Sequence, residues 1–402
     1  MQSSTELIAQ VITIFGYIYR FLELTAIIWG PFGVTYFALK YWKEYVQAKF
    51  ISKLDFILLE IKIPREVLKT PLAMELVLQS MWQSSQGTWY DQWLKGKLRV
   101  WFSLEIISEE GNVRFLIRTP RKFKKLIESH IYAHYPNTEV VEVPDYVTKA
   151  PFMHEHGAWD MWGCEFALTK PDPYPIRTYV DYGLDKADLE EENKIDPLAT
   201  LIEYMGGFGR GQYLWYQIMI QPNKDRFDVT GSHFKKQGWK DEGKNLIKEL
   251  KEKYAEGKAS KRDTEVLHAI ERSLTKNGYD CGLRVVYVAK NEHFDPNLIS
   301  GVAGMLGHFG LGDLNGFRPT HTTDFDYPWQ DYKDYRLNKK KHHIFDAYVR
   351  RSYFYEPYKE TPYVLNSEEL ATIWHFPGLV VGTPTLGRVE SRKGEPPQNL
   401  PT

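Results

Sequence analysis

The pattern of apolar and polar residues separates an apolar amino terminus from a mixed remainder. Residues 7–19 and 24–39 are two apolar runs, separated only by the short polar-containing stretch 20–23. A bilayer core requires about 20 apolar residues in a helix, so neither run is sufficient alone, whereas the two together are. We therefore predict a membrane anchor over residues 1–50, kinked at Gly30-Pro31. The alternative is a pair of buried core helices.

The charges beside the apolar runs predict how the anchor is oriented in the membrane. Basic residues follow the runs at Lys40, Lys43, Lys49 and Lys53, whereas only Arg20 is basic before the second run. The positive-inside rule then places residues 43–402 in the cytoplasm and the anchor in the inner (cytoplasmic) membrane. Aromatic residues at the same position are typical of a bilayer interface. We assign that interface to Lys40, Tyr41, Trp42 and Lys43.

Beyond the anchor, segments in which apolar residues recur with the period of a strand alternate with segments in which they recur with the period of a helix. Helical patterns cover 70–82, which opens with Thr70-Pro71, and 120–135. The turn at Glu110-Gly111-Asn112 joins two of the strands. Strand patterns cover residues 53–63, 97–107, 112–119 and 138–143. The order β-α-β-β-α-β predicts a ferredoxin-like module over residues 51–148.

The same order of elements recurs downstream. Strand patterns cover 160–170, 212–222, 280–290 and 313–319, and helical patterns cover 196–208 and 295–310. A polar helical insertion occupies 235–276. We therefore predict a second ferredoxin-like module over residues 149–325, and an α+β fold with two modules in tandem.

A carboxy-terminal helical region is predicted over residues 326–380. Its helices cover 331–357 and 365–376, and the second is capped by Asn366 or Ser367. Residues 381–402 follow neither period and are predicted to form an extended, linker-like tail.

Charge and cysteine content narrow the classes of function. The net charge of the 402 residues is −1, so any attraction to nucleic acid must come from a local basic surface. The two cysteines, Cys164 and Cys281, form neither a disulfide framework nor a metal-binding spacing. They are predicted on neighbouring strands, so we expect them to lie close together and reduced.

The glycine-rich stretch 206–212 suggests a phosphate-binding loop. A nucleotide-binding P-loop precedes a helix and ends in Lys-Ser or Lys-Thr, whereas here the helix comes first. A helix C-cap followed by a turn explains the glycines better. No P-loop motif and no diagnostic catalytic spacing occurs in the sequence, so we predict a protein that is not an enzyme and uses no cofactor.

Two clusters of polar residues are candidate binding sites. The first, His154, Glu155, His156, Asp160 and Cys164, lacks the second ligand pair of a structural zinc site, so we predict a polar loop and no metal. The second is basic and contains Lys339, Lys340, Lys341, Arg350 and Arg351, interleaved with Tyr348, Tyr353, Phe354 and Tyr355. It fits nucleic acid, anionic lipid or an acidic partner. The alternative is a solvated helix face whose aromatic residues pack on one of the modules.

Three segments resemble the amino-terminal region of membrane-anchored conjugation and type IV secretion ATPases of candidate-phyla bacteria. They are IKIPREVLKTPLAMELVL (61–78), FDAYVRRSYFYEPY (345–358) and LGRVESRKGEPPQNLP (386–401). In that family an anchor and this region precede a P-loop motor domain, and the tail here is similar to the linker that leads to it. The resemblance implies a non-catalytic docking or assembly module that acts with a separate ATPase.

The residues themselves leave other functions open. One is a membrane-associated module that binds nucleic acid or anionic lipid through helix 333–355. An enzyme of another type and a homo-oligomer are also compatible with the sequence.

Overall fold

The computed structural model describes residues 2–63, 69–83, 87–152, 157–185, 196–224, 227–228, 236–255, 260–310, 312–325, 327, 329 and 331–378. The predicted tail, 381–402, lies outside the described residues. The chain forms two compact units. We call residues 1–54 with 86–98 the helical unit, and residues 55–85 with 99–402 the sheet unit.

The helical unit contains a long helix, α1 (Gln2–Ile51), and a short one, α3 (Trp89–Leu94). Along the described residues no single straight helix is long and apolar enough to cross a membrane. The stretches Ile12–Ala26 and Trp29–Ile51, which meet at a bend of 66°, together have the length and composition of a span. Pro31 lies just after this bend, and its missing N–H and ring clash explain a departure from straight geometry there.

The sheet unit begins with four strands and two helices in the predicted order. These are β1 (Phe56–Lys62), α2 (Pro71–Ser80), β2 (Phe102–Glu109), β3 (Asn112–Pro120), α4 (Lys124–His134) and β4 (Glu139–Val143). Their strands lie in the order β4-β1-β3-β2, and every neighbouring pair is antiparallel. We call β1 to β4 the first half-sheet.

A second set of elements follows in the same order along the chain. They are β5 (Trp159–Leu168), α5 (Pro197–Gly206), β6 (Gln212–Pro222), the two-residue strands β7 (Phe227–Asp228) and β8 (Lys236–Gln237), α6 (Trp239–Ala255), α7 (Lys261–Leu274), β9 (Gly278–Lys290), α8 (Leu298–Gly304) and β10 (Phe317–Thr320). Strands β10-β5-β9-β6 are adjacent in that order and antiparallel, and we call them the second half-sheet. Strand β8 and helices α6 and α7 fall in the predicted insertion, 235–276, whereas β7, which pairs with β8, precedes it.

The two half-sheets join through their β2 and β6 edges into one continuous sheet. The antiparallel register runs from Phe102↔Ile220 to Glu109↔Tyr213. Three carboxy-terminal elements complete the unit: α9 (Tyr335–Arg350), β11 (Tyr363–Asn366), which pairs with β9, and α10 (Ser367–Ile373). The predicted α+β class is therefore confirmed, with an antiparallel sheet. The assignment to ferredoxin-like modules stays a prediction.

The alternation of side chains along the strands creates two buried faces. Ile57 and Leu59 on β1 pack on one face with α2, α4, α5 and α10. Leu58 points to the other face, where Ile344, Phe345 and Tyr348 of α9 cover it. Both faces are apolar because each carries a helical layer.

Three sequence predictions change in the structure. The last helix begins at Ser367 and is preceded by a strand; its cap is Asn366, whose side chain accepts from the N–H of Glu369. The long helix predicted over 331–357 is shorter, because Arg351 ends it with a left-handed φ of 50°.

Both cysteines are buried and free, but Cys164 lies opposite Val285, four residues along β9 from Cys281. At about 3.3 Å per residue the two thiols are far apart, so the expected proximity is wrong although both strands are right.

Candidate functional site

A cleft of about 540 Å³ opens on the α9 face of the sheet unit. Strand β5 contributes Glu165, the residue after β10 contributes His321, and the chain before β11 contributes Glu360. The rest of the lining comes mainly from α9, so residues far apart in sequence meet here. The lining residues are Glu165, His321, Phe325, Tyr335, Arg336, Lys339, Lys340, His343, Ile344 and Glu360.

Glu165 is the charged centre of the floor of this cleft. Its carboxylate accepts from Arg284 Nε at 3.0 Å and lies 2.9 Å from Nδ1 of His321. Burial alone would raise the pKa of Glu165, but the hydrogen bond to His321 and the charge of Arg284 outweigh it and leave the pKa lowered. Glu165 is therefore ionised and firmly held.

His321 and Glu360 complete a compact group of ionisable side chains. The hydrogen bond to Glu165 raises the pKa of His321, and burial together with the charge of Glu165 raises the pKa of Glu360. His321 has a left-handed φ of 49°, a conformation that non-glycine residues seldom adopt and that aims its ring at Glu165.

The same three residues could hold a metal ion. One ligand atom from each of Glu165, His321 and Glu360 lies within 4.8 Å of the others. One imidazole and two carboxylates suit a divalent ion in kind. However, Arg284 already forms an ion pair with the Glu165 carboxylate and Nδ1 of His321 lies 2.9 Å from it, so both would compete with a metal ion for its oxygens.

The opposite wall of the cleft is basic. Lys340 donates to the backbone carbonyls of Thr322 and Asp324, each at 3.3 Å, and its ammonium lies 4.1 Å from the ring centre of Phe325. Lys339 and Arg336 lie on exposed positions of the same helix. The cleft thus presents cations at its rim and a carboxylate-histidine group at its floor, which suits a polar ligand with an anionic portion.

Four exposed aromatic side chains lie within residues 327–335, which follow the cleft residue Phe325 in the sequence. We call Tyr327, Trp329, Tyr332 and Tyr335 the aromatic patch. The rings of Tyr327 and Trp329 stack at 4.6 Å with 12° between their planes, and the four side chains are 51–79% exposed. Tyr335 belongs to both the patch and the cleft lining. Large exposed aromatic groups are unusual on a protein surface and mark interaction sites.

The five basic residues predicted as a cluster are divided by the structure. Lys339 and Lys340 line the cleft. Lys341 forms an ion pair with Asp160, and Arg350 forms one with Asp346. Arg351 is 1% exposed and pairs with the buried Glu105 and with Asp145 at the surface, so it is not available to a surface ligand.

The aromatic residues that the sequence placed in the same cluster face the core. Tyr348, Tyr353 and Phe354 are buried. Of these only Tyr348 lies on α9, because Tyr353 and Phe354 follow the helix, as does the half-buried Tyr355. A different set of aromatics, the patch, reaches solvent. A sequence signal for the patch existed in the run Tyr-Pro-Trp-Gln-Asp-Tyr over 327–332, which is rich in aromatics and lacks a helical period.

The other candidate motifs have simple structural outcomes. The glycines of 206–212 are a helix end and a turn, as predicted: the N–H of Gly207 caps α5, and Gly211 has φ +75° before β6. His154, Glu155 and His156 lie outside the described residues. The predicted interface residues Lys40, Tyr41, Trp42 and Lys43 lie together on α1, and Trp42 Nε1 donates to the carbonyl of Trp93 at 3.1 Å.

Sequence inspection does not find the Glu165–His321–Glu360 group. Glu165 and His321 are separated by 156 positions, and no short motif surrounds any of the three. Only the pairing of β10 with β5, which sets Thr320 opposite Glu165, brings His321 to the carboxylate.

Comparison with known proteins gives a family and no activity. Residues 64–382 match the profile of the Domain of unknown function DUF8128. No curated protein matches the chain. Because the match covers most of the chain, the protein belongs to the DUF8128 family.

Proposed function

We propose that this member of the DUF8128 family is a membrane-anchored docking or assembly component that binds a partner through the aromatic patch and the adjoining cleft. The aromatic patch is the observation that carries the proposal. Interface energy concentrates in Trp and Tyr side chains, and an exposed stack such as Tyr327–Trp329 offers a large, rigid contact area. The basic rim at Lys339 and Arg336 would select a partner with acidic groups.

The anchoring part of the proposal rests on α1. Its side chains between Ile12 and Leu39 include many large apolar residues that are about half to four-fifths exposed, such as Phe15 at 67% and Phe32 at 74%. Such a surface is unfavourable in water and favourable in a bilayer. With lysines only at its carboxyl end, α1 would leave the sheet unit in the cytoplasm, at the inner membrane.

We also infer that the sheet unit consists of two tandem ferredoxin-like modules. The orders β4-β1-β3-β2 and β10-β5-β9-β6 support this inference. In each half-sheet the third strand lies between the first and second, and the fourth lies beside the first, which is the arrangement of a split βαβ repeat. Ferredoxin-like modules serve many functions, so the function is argued from the surface and not from the fold.

The partner we propose is a type IV secretion or conjugation ATPase, with this chain as the non-catalytic component. The proposal is motivated by the resemblance of residues 61–78 and 345–358 to the regions that precede such motors, together with the lack of a P-loop motif in this sequence.

Affinity purification of the full chain from cross-linked native membranes tests this function. We expect a P-loop ATPase to be recovered with the wild type, and at least tenfold less with Trp329→Ala/Tyr332→Ala, because an interface aromatic contributes about 2 kcal/mol or more and about 1.4 kcal/mol is already tenfold. The matched control is Tyr132→Ala, which removes an exposed tyrosine of α4 away from the patch. Equal recovery with all three proteins would refute docking through the patch, and recovery of other proteins without an ATPase would refute the partner.

A second candidate function is the binding of single-stranded nucleic acid. It is favoured by the same patch, since bases stack on exposed aromatics beside cations such as Arg336, Lys339 and Lys340. Binding of a single-stranded oligonucleotide would then weaken steeply with salt. Changing these three cations to Gln should flatten the salt dependence, whereas Lys244→Gln/Lys248→Gln on α6 should not. Unchanged binding in the first variant would eliminate this candidate.

A further inference from the structure

The segment that carries α3 interrupts the sheet unit and belongs to the helical unit. Residues 86–98 lie between α2 and β2 in the sequence, yet they group with α1. Trp42 of α1 donates a hydrogen bond to the carbonyl of Trp93, and the ammonium of Lys43 lies 5.8 Å from the ring centre of Trp93. The chain therefore leaves the sheet to place a short helix against the end of α1.

Backbone packing shows that this placement is specific. Gly96 has φ +65°, and a Cβ built on it would lie 2.1 Å from the carbonyl oxygen of Val46. Only glycine permits so close an approach of two backbones. Helix α3 is itself well defined, because Thr88 and Asp91 form a capping box. The segment is built to lie against α1.

One side of α3 is apolar and exposed. Trp89, Tyr90, Trp93 and Leu94 share that side, while Asp91 and Gln92 lie on the other. Trp89 is 71% exposed, and Tyr90 and Leu94 are about half exposed. Trp and Tyr with nearby lysines form the composition that prefers the boundary between acyl chains and headgroups. Lys97 beside α3 and Lys43 on α1 supply these charges. Lys95 and Lys40 are paired with Asp91 and Glu44, at 2.8 and 4.0 Å.

We propose that α3 is a second membrane element, which lies in the bilayer interface and binds phosphate-bearing lipid headgroups beside α1. The inference rests on the proposed membrane anchoring by α1. A lipid surface is favoured over a protein partner because the aromatic residues of α3 and α1 are in contact: the rings of Trp89 and Trp93 lie 5.9 Å apart, and those of Trp42 and Tyr45 lie 6.1 Å apart. The hydrogen bond from Trp42 to the carbonyl of Trp93 joins the two pairs. Together these side chains form one belt of the kind found at membrane boundaries.

Fluorescence quenching in vesicles tests the proposal with the full-length chain. The native cysteines are buried, so a single introduced cysteine can be labelled selectively with a polarity-sensitive dye. The test site is Leu94→Cys. A matched control is Leu72→Cys, an exposed leucine of α2 in the sheet unit, and a membrane control is Phe37→Cys in α1. The vesicles contain phosphatidylcholine, phosphatidylglycerol and a lipid that carries a nitroxide near the headgroup.

The three sites separate this proposal from the anchor on which it rests. We expect nitroxide lipid to quench the dye at Leu94 and at Phe37 at least severalfold more than at Leu72. Quenching at Phe37 with Leu94 no more quenched than Leu72 would overturn the interfacial role of α3 and leave the anchor intact. If neither Phe37 nor Leu94 is quenched, the membrane anchor fails and the role of α3 fails with it.

Discussion

At the scale of single residues, the buried pair of Arg351 and Glu105 is the most consequential feature of the sheet unit. Arg351 Nε donates to Glu105 at 3.1 Å, and a second guanidinium nitrogen donates to Asp145 at 2.9 Å. Tyr146 and Ser103 donate to the same Glu105 carboxylate. Burial would raise the pKa of Glu105, but the charge of Arg351 lowers it, so the pair stays charged in the interior.

Removing Arg351 should destabilise the protein strongly. Arg351→Met would leave Glu105 charged and buried without its main partner, which costs about 3–5 kcal/mol. The matched control is the adjacent Arg350→Met, since Arg350 has a 60% exposed side chain paired with Asp346 and should contribute about 1 kcal/mol or less. Urea unfolding of the full chain in detergent measures both. Similar losses in the two variants would contradict the central role of the buried pair.

His321 should give stability a specific dependence on pH. Glu165 raises the pKa of His321 above 6.5, the ordinary pKa of a histidine. The contribution of His321 to the free energy of unfolding is therefore fully present below pH 6.5 and is lost as the pH rises through the raised pKa. The pKa of Glu165 is lowered, so its contribution to the free energy of unfolding is present above pH 4.5, the ordinary pKa of a glutamate. That contribution is lost as the pH falls through the lowered pKa.

We therefore expect the wild type to lose unfolding free energy as the pH rises from 6.5, and His321→Gln to lose less. Thermal unfolding across this range measures the effect. His268→Gln, an exposed histidine on α7, controls for the removal of a histidine elsewhere. An unchanged slope in His321→Gln would show that the pair with Glu165 does not form.

At the scale of elements, one glycine of β9 makes room for the segment that follows α9. A Cβ built on Gly282 would lie 2.2 Å from Cζ of Tyr353, so the ring of Tyr353 lies flat against the strand. Tyr353 closely follows Arg351, which ends α9 and carries the buried charge. Glycine here admits an aromatic ring where any side chain would exclude it.

Gly282→Ala should therefore displace Tyr353 and destabilise the protein by about 1–3 kcal/mol through overpacking. Gly304→Ala at the end of α8 is the matched control, since nothing lies within 4 Å of its added Cβ. That substitution should be close to neutral, or slightly stabilising because alanine favours helix over glycine. Thermal unfolding of both variants measures the difference, and a neutral Gly282→Ala would mean that the ring of Tyr353 moves aside freely.

At the scale of the whole molecule, the two half-sheets share a core. One buried cluster contains Ile57 and Phe115 of the first half-sheet, Cys281 and Leu283 of the second, and Trp374, the residue that follows α10. The rings of Phe115 and Trp374 lie 5.9 Å apart. Together with the β2–β6 pairing, this shared core makes separate folding of the halves unfavourable.

The sheet unit should consequently unfold as one cooperative body. In hydrogen exchange of the full chain at increasing denaturant, we expect amides of β3 and of β9 to reach the same free energy of opening. Loss of protection in one half-sheet at clearly lower denaturant than in the other would contradict the shared core.

The local pattern of the sequence predicts much of this fold because its elements are strongly periodic. Strand 53–63 and helix 70–82 correspond to β1 and α2 within a few residues, since alternation and the Thr-Pro start are local signals. The β11 strand before α10 was missed because its four residues are buried on both sides and carry no period. The Cys164–Cys281 distance was missed because register along β9 is set by pairing and not by local sequence.

The sequence alone determined the apolar amino terminus, the α+β class, the order of elements and the lack of a P-loop motif, because each follows from local composition and spacing. Tertiary structure alone decided which charged and aromatic side chains reach the surface, where a ligand or partner can contact them. It buried Arg351 against Glu105, exposed the patch around Trp329, and gathered Glu165, His321 and Glu360 into a cleft. The physical reason is that strand pairing and packing decide which side chains are buried, which charges form ion pairs, and which distant residues meet. Glu165 and His321, 156 positions apart, are an example.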